Sequence, residues 1–106
     1  LVRSRGLGDV YKEEKELSLK GISKDLFINP VYLGQLIKRE TNSTFAELLN
    51  KQRIKAAQQL LLSTSDSIED ICYAVGYSNV GYFYKVFRKL CGKSPKAYRK
   101  QVETIL

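Results

Sequence analysis

One pattern, occurring twice about fifty residues apart, constrains this chain more than any other feature. Tyr32 and Leu33 align with Tyr82 and Phe83, Leu36-Ile37 with Val86-Phe87, and Lys38-Arg39 with Arg88-Lys89, while Phe45 falls opposite Pro95. The upstream helix aligns at an offset of 49, Ile22 with Ile71, so the intervening turn differs by one residue. Each copy reads as a short helix, a tight break, a second helix with apolar residues at i, i+3 and i+4, a polar break and a capped restart. Helical periodicity recurs and strand alternation is poor, so the chain reads as all-α. Two copies of a helix-turn-helix unit joined by a long helix account for the pattern.

Capping residues set the expected boundaries. Residues 9–17 form a short, charged first helix, with Val10 and Leu17 its main apolar contributions. Ser18 caps a second helix carrying Leu19, Ile22 and Leu26, which stops near Phe27 and Ile28. Asn29-Pro30 restarts the chain, because Asn is a favoured N-cap and Pro at the first helical position loses no needed hydrogen bond. Thr44 and Glu47 then form a capping box ahead of an amphipathic run through Leu62. That run would be about 27 Å long at 1.5 Å per residue. Ser67-x-x-Asp70 resembles another box, Gly76 closes the helix it starts, and Ser78 or Asn79 caps the next. Gly92 ends that one, and Ser94-Pro95 opens a last short helix to about Lys100. About seven helices result. Residues 1–8 are taken as linker or appended sequence, 9–43 as the first lobe, 44–62 as the central helix, 63–101 as the second lobe and 102–106 as a tail.

Composition narrows the function. Eighteen Lys and Arg against eleven Asp and Glu give a net charge of +7, which suits a polyanionic partner. Histidine is absent, removing the usual general base and the commonest metal ligand. Cys72 and Cys91 alone cannot build a zinc site, and their spacing is not that of a redox pair. No enzyme, metal or cofactor is expected. Two isolated cysteines fit a reducing cytoplasm. No apolar run approaches the roughly 18 residues of a membrane span, so no membrane partner is expected. The lack of any Met, including at position 1, reads as a fragment of a longer polypeptide.

The repeat has a chemical consequence. In such a unit the second helix enters the DNA major groove, where each base pair shows a distinct donor and acceptor pattern. It needs an apolar back and a small or polar front. The first front is Val31, Gly34, Gln35 and Lys38; the second is Val80, Gly81, Tyr84, Lys85 and Arg88. Gln35 suits adenine, Lys85 suits guanine, and Val31 or Val80 suits a thymine methyl. Gly34 offers close approach, or alternatively tight helix packing. Residues 81–100 carry seven cations and no acid. Phosphate contacts are therefore assigned to Lys38, Arg39, Arg88, Lys89, Lys93, Lys96 and Arg99, with backbone N–H groups at Ser67 and Ser94. Arg99 has a second reading, pairing within its own lobe. Tyr82, Phe83 and Phe87 have helical spacing and are assigned to the core rather than to base stacking.

Longer stretches carry a resemblance. Ile71-Cys72-Tyr73-Ala74-Val75-Gly76-Tyr77-Ser78-Asn79, Tyr82-Phe83, Phe87-Arg88-Lys89, Gly92, Ser94-Pro95 and Tyr98-Arg99 resemble the C-terminal signature of AraC/XylS-type transcription regulators. Residues 28–41 and the joining Leu49-Asn50-x-x-Arg53-Ile54 are similar too, and the first unit is worded like response regulators of the YesN type. The resemblance covers about residues 17–99. It implies a seven-helix domain whose two recognition helices enter successive major grooves from one side, as the output domain of a transcription regulator, an activator in a phosphorelay. It also implies base contacts at Val31, Gly34, Gln35, Val80, Gly81, Tyr84 and Lys85, an asymmetric two-box site, RNA polymerase as a further partner, and dimerisation through an upstream domain. Phe27 and Asn42 stand where the family commonly has glycine. Gly34 and Gly81 weaken direct readout, and the first lobe is expected to contribute less specificity than the second. The competing reading is a helical protein-interaction module whose basic face docks an acidic partner.

Overall fold

A computed structural model describes residues 18–105, with side chains through Gln101. Six helices follow in order: α1 (Leu19–Leu26), α2 (Pro30–Thr41), α3 (Phe45–Ser63), α4 (Ile68–Ala74), α5 (Val80–Cys91) and α6 (Pro95–Ile105). No strand occurs among the described residues. The helix expected over residues 9–17 lies outside them. α1 packs on α2, and α3 touches α2 on one side and α4, α5 and α6 on the other. The long helix thus holds both helix pairs.

The helices begin where side-chain oxygens satisfy the first backbone donors. Ser18 Oγ accepts from Gly21 N at 3.0 Å, and Asn29 Oδ1 accepts from Val31 N and Tyr32 N at 2.8 and 3.3 Å. Thr44 and Glu47 close a reciprocal capping box: Thr44 N donates to Glu47 Oε1 at 2.7 Å and Glu47 N to Thr44 Oγ1 at 3.1 Å. Asn79, rather than Ser78, caps α5, accepting from Tyr82 N at 2.8 Å.

The one-residue difference between the repeats has a local cause. α1 ends with Ile28 N donating to Ser23 O and Phe27 N to Lys24 O; α4 ends with Tyr77 N donating to Cys72 O and Gly76 N to Tyr73 O. Both are Schellman caps, with the left-handed position held by Phe27 (φ 59°) in the first and Gly76 (φ 110°) in the second. The following N-caps are Asn29 and Asn79. The second turn therefore holds one more residue, Ser78. Further on, Asn42 (φ 61°) and Gly92 (φ 79°) end α2 and α5 in the same left-handed conformation.

Two boundaries differ from expectation. α3 runs one residue further, through Ser63, and Thr64 Oγ1 donates back to Leu60 O at 2.7 Å. α6 continues to Ile105, so residues 102–105 are helix rather than tail. Nothing between Pro95 and Ile105 breaks a helix, since neither Gly nor Pro interrupts the run.

The core sits between α3 and the second helix pair. Ile54, Ala57 and Leu61 of α3 meet Ile71, Cys72, Val75, Phe83 and Phe87, with Tyr98 packed against them. Phe83 and Phe87 lie edge to face with centroids 5.8 Å apart, and Phe87 meets Tyr98 at 5.7 Å. Burying each phenylalanine contributes about 1.5–3 kcal/mol. In the first pair, among the described residues, only Leu33 is a buried hydrophobic; Ser23 of α1 is buried too, its hydroxyl bonded to Leu19 O at 2.7 Å.

Candidate nucleic-acid interface

α2 and α5 are twelve residues each, Asn-capped at the start and ended by a left-handed residue. Their backs are inward: Leu33 on α2, and Phe83, Val86 and Phe87 on α5, are buried. Their fronts are open. Val31, Gln35, Lys38 and Arg39 are exposed on α2 with Gly34 half-buried; Gly81, Tyr84, Lys85, Arg88 and Lys89 are exposed on α5 with Val80 half-buried. Each helix thus offers solvent the side chains assigned to base reading.

The α2 front is concave. Val31, Gly34, Gln35 and Lys38 line a depression of about 670 Å³ with Leu19 and Phe45. The α5 front instead projects side chains, with Tyr84 edge to face on Phe83 at 6.2 Å.

The phosphate set divides. Ser67, Lys96 and Arg99 come together, with Lys100, around a second concavity of about 410 Å³ at the start of α4. Glu69 and Asp70 occupy the first turn of that helix, so its dipole is already answered by its own carboxylates and the basic side chains carry the attraction for an anion. Ser67 and Ser94 hydroxyls accept from Asp70 N and Ala97 N, as caps. Lys93 Nζ donates to Gln101 Oε1, tying the residue ahead of the α6 cap to the helix's second turn, and Arg39 lies 3.6 Å from Glu40. Arg99 takes the second of its two readings: its guanidinium donates to Leu61 O, Thr64 O and Asp66 O at 3.1, 3.1 and 2.7 Å. It clamps α6 to the end of α3 and the loop that follows.

Tyr82 does not lie in the core, because it is 49% exposed. It flanks the core, and its hydroxyl accepts from Asn50 Nδ2 at 3.3 Å. Asn50 Oδ1 in turn accepts from Tyr77 Oη at 2.7 Å, and the Arg53 guanidinium sits 5.4 Å from the Tyr77 ring centroid. This network pins the start of α5 to the middle of α3 and so sets the angle of the second reading helix. Burial pushes the Tyr77 hydroxyl well above its ordinary value, with Arg53 opposing only part of the effect. Tyr77 is therefore a permanent donor at physiological pH. Sequence reasoning noted Asn50 and Arg53 within a motif but gave them no role; their spacing of three on one helical face was the available signal.

The surroundings of both cysteines favour the neutral thiol. Burial pushes the Cys72 thiol up to about 11, and Cys91, whose Sγ lies 3.2 Å from Gln58 Nε2, is also raised by burial. Both stay as unreactive thiols at neutral pH. Among the described residues no group of three His, Cys, Asp or Glu is gathered, and no helix is long and apolar enough to cross a membrane.

A protein family described as "Helix-turn-helix domain" matches residues 22–101. The chain belongs to the AraC-type helix-turn-helix family. That AraC-type family comprises DNA-binding domains of transcription regulators. The chain is 38% identical over 88 residues to the transcriptional regulatory protein YesN of Bacillus subtilis, covering 80% of this chain and 24% of YesN. It is 33% identical over 87 residues to the regulatory protein PocR of Salmonella typhimurium, covering 82% of this chain and 29% of PocR. The chain thus spans about a quarter of the length of these relatives. Among solved structures, it is similar to the C-terminal domain of AraT, a response regulator from Geobacillus stearothermophilus. The TM-score is 0.78 and the identity 34%, over 94% of this chain and 88% of that one.

Proposed function

We propose that the domain reads double-stranded DNA with two unlike probes, α2 and α5, set into successive major grooves on one side of the duplex. One observation carries this reading: two helices of equal length and identical capping logic are held on one rod with apolar backs inward and chemically different fronts exposed. The scale fits, since the molecule's longest extent of 48 Å exceeds the roughly 34 Å between adjacent major-groove segments. α3 alone is about 28 Å long for its 19 residues. Val31, Gly34 and Gln35 would face one box and Val80, Gly81, Tyr84 and Lys85 the other, so the site is asymmetric. Lys38, Arg39, Arg88, Lys89, Lys96 and the amides at the start of α6 would anchor phosphates.

The likeness to YesN and to AraT supports a role as the output domain of a cytoplasmic response regulator that activates transcription. RNA polymerase would be its further partner, and dimerisation would belong to other parts of the polypeptide. Selection of duplexes from a random pool, followed by footprinting, tests the core of this reading. The expected result is an asymmetric two-box site that outcompetes random DNA by about 10³ or more. Equal competition by all duplexes at every salt concentration would refute it and favour docking of an acidic protein through the basic face.

A further inference from the structure

The depression on the front of α2 is walled by hydrocarbon: Leu19, Pro30, Val31, Phe45 and Ala46, floored by Gly34. Gly34 is what lets Leu19 reach it. A Cβ at position 34 would stand 3.1 Å from Leu19 Cδ2, so even an alanine there requires the leucine to give by a few tenths of an ångström. Leu19 therefore belongs to the reading surface although it sits on α1 rather than on the recognition helix. Lys38 and Arg39, on the last turns of α2, border the same depression. An apolar hollow edged by cations matches one arrangement found in a DNA major groove, a thymine methyl between phosphates, because the methyl is the only apolar group on any base edge there.

We infer that the first lobe recognises its box chiefly by seating thymine methyl groups between Leu19 and Val31 over Gly34, with Leu19 a specificity-determining residue. This rests on the placement of α2 in the major groove proposed above. It gives the first lobe a mode of selection that needs no hydrogen bond from position 34. It also explains why the front of α2, with Gln35 its one neutral hydrogen-bonding side chain, is still shaped.

The test replaces each thymine of the selected duplex in turn by deoxyuridine, which lacks only the methyl, and measures binding of the whole 106-residue chain. Each seated methyl should be worth about fourfold in affinity, the transfer value of one buried carbon. Leu19→Ala, checked for native helicity by circular dichroism, should level thymine and deoxyuridine in the first box while the second box keeps its base preference. Gly34→Leu, which fills the hollow beyond what a small shift of Leu19 can absorb, should do the same. A first box without thymine, or one in which deoxyuridine binds as well as thymine at every position, overturns the seat while a selected two-box site leaves the DNA reading intact. Failure to enrich any duplex removes both.

Discussion

Phe27 is the residue whose replacement should most clearly improve this fold. Its φ of 59° places a β-carbon against the following carbonyl, at a cost of about 1–2 kcal/mol for an L-residue. The ring returns nothing detectable in packing, since the residue is 96% exposed. The equivalent position in the second turn is Gly76, at φ 110°. Phe27→Gly releases the strain and adds about 0.5–1 kcal/mol of backbone freedom to the unfolded chain. The net gain should be about 0.5–1 kcal/mol, a rise in melting temperature of about 2–6 °C. Urea unfolding followed by circular dichroism reads the first quantity, and hydrogen exchange at the α1 and α2 amides shows whether the gain is local. Phe27→Ala separates backbone from ring, because it keeps the β-carbon and removes the aromatic; it should stay within about 0.5 kcal/mol of the parent. If alanine stabilises as much as glycine, the left-handed backbone is not the cause. If glycine destabilises, the ring has a packing partner and the reasoning fails.

Lys85→Ala should relax preference at one base position at a cost of about 1–3 kcal/mol, whereas Lys96→Ala should weaken all duplexes alike and lower the salt slope by about one; binding to a set of single-base variants at several salt concentrations separates the two. Arg99→Lys keeps the charge but not the fork that meets Leu61, Thr64 and Asp66, so it should destabilise by about 1.5–3 kcal/mol in denaturant titration. Full stability in Arg99→Lys with loss only in Arg99→Ala would show that charge, not the clamp, matters. The Glu47 carboxyl is held below its ordinary value of 4.5, first by the backbone N–H of Thr44 and then by its hydroxyl. A lowered folded value means the capping box stabilises α3 above about pH 4.5 and is lost as pH falls through the depressed value. Helicity monitored between pH 6 and pH 2 should show this loss in the parent and lack it in Glu47→Gln.

What was legible in the sequence was whatever depends on neighbours along the chain. Asn29-Pro30, Thr44 with Glu47, and Ser67 announce helix starts because their oxygens act two or three residues away. The inward residues Phe83, Val86 and Phe87 follow from period alone. The misplaced side chains are of another kind. Tyr82 lies one residue from Phe83 on a helical wheel, and only the position of α3 decides that its ring flanks the core while its hydroxyl meets Asn50. Leu90, also spaced as core, is 43% exposed. Arg99 finds its carbonyl acceptors more than thirty residues upstream, where the end of α3 and the loop after it happen to present them.

Among the described residues those long-range ties are unevenly shared, and the imbalance bears on mechanism. The second helix pair is fastened to α3 by a dozen buried residues, by the Tyr77–Asn50–Tyr82 network and by the Arg99 clamp. These contacts fix α5 as a rigid body on the rod, which direct hydrogen-bonded reading requires, since a misplaced donor loses its angle within a few tenths of an ångström. A methyl seated in a hollow has no such demand, because hydrophobic contact is non-directional. Assigning hydrogen-bonded discrimination to the Lys85 side and apolar discrimination to the Leu19–Val31 side therefore matches each mode of reading to the stiffness of the helix that performs it. The match has a consequence in the double substitution of Asn50→Ala with Tyr77→Phe. Loosening α5 in this way should blur base preference in the second box severalfold while leaving the deoxyuridine penalty in the first box unchanged. Loss of both to the same degree would mean that the rod, and not the local seat, sets the accuracy of the two probes together.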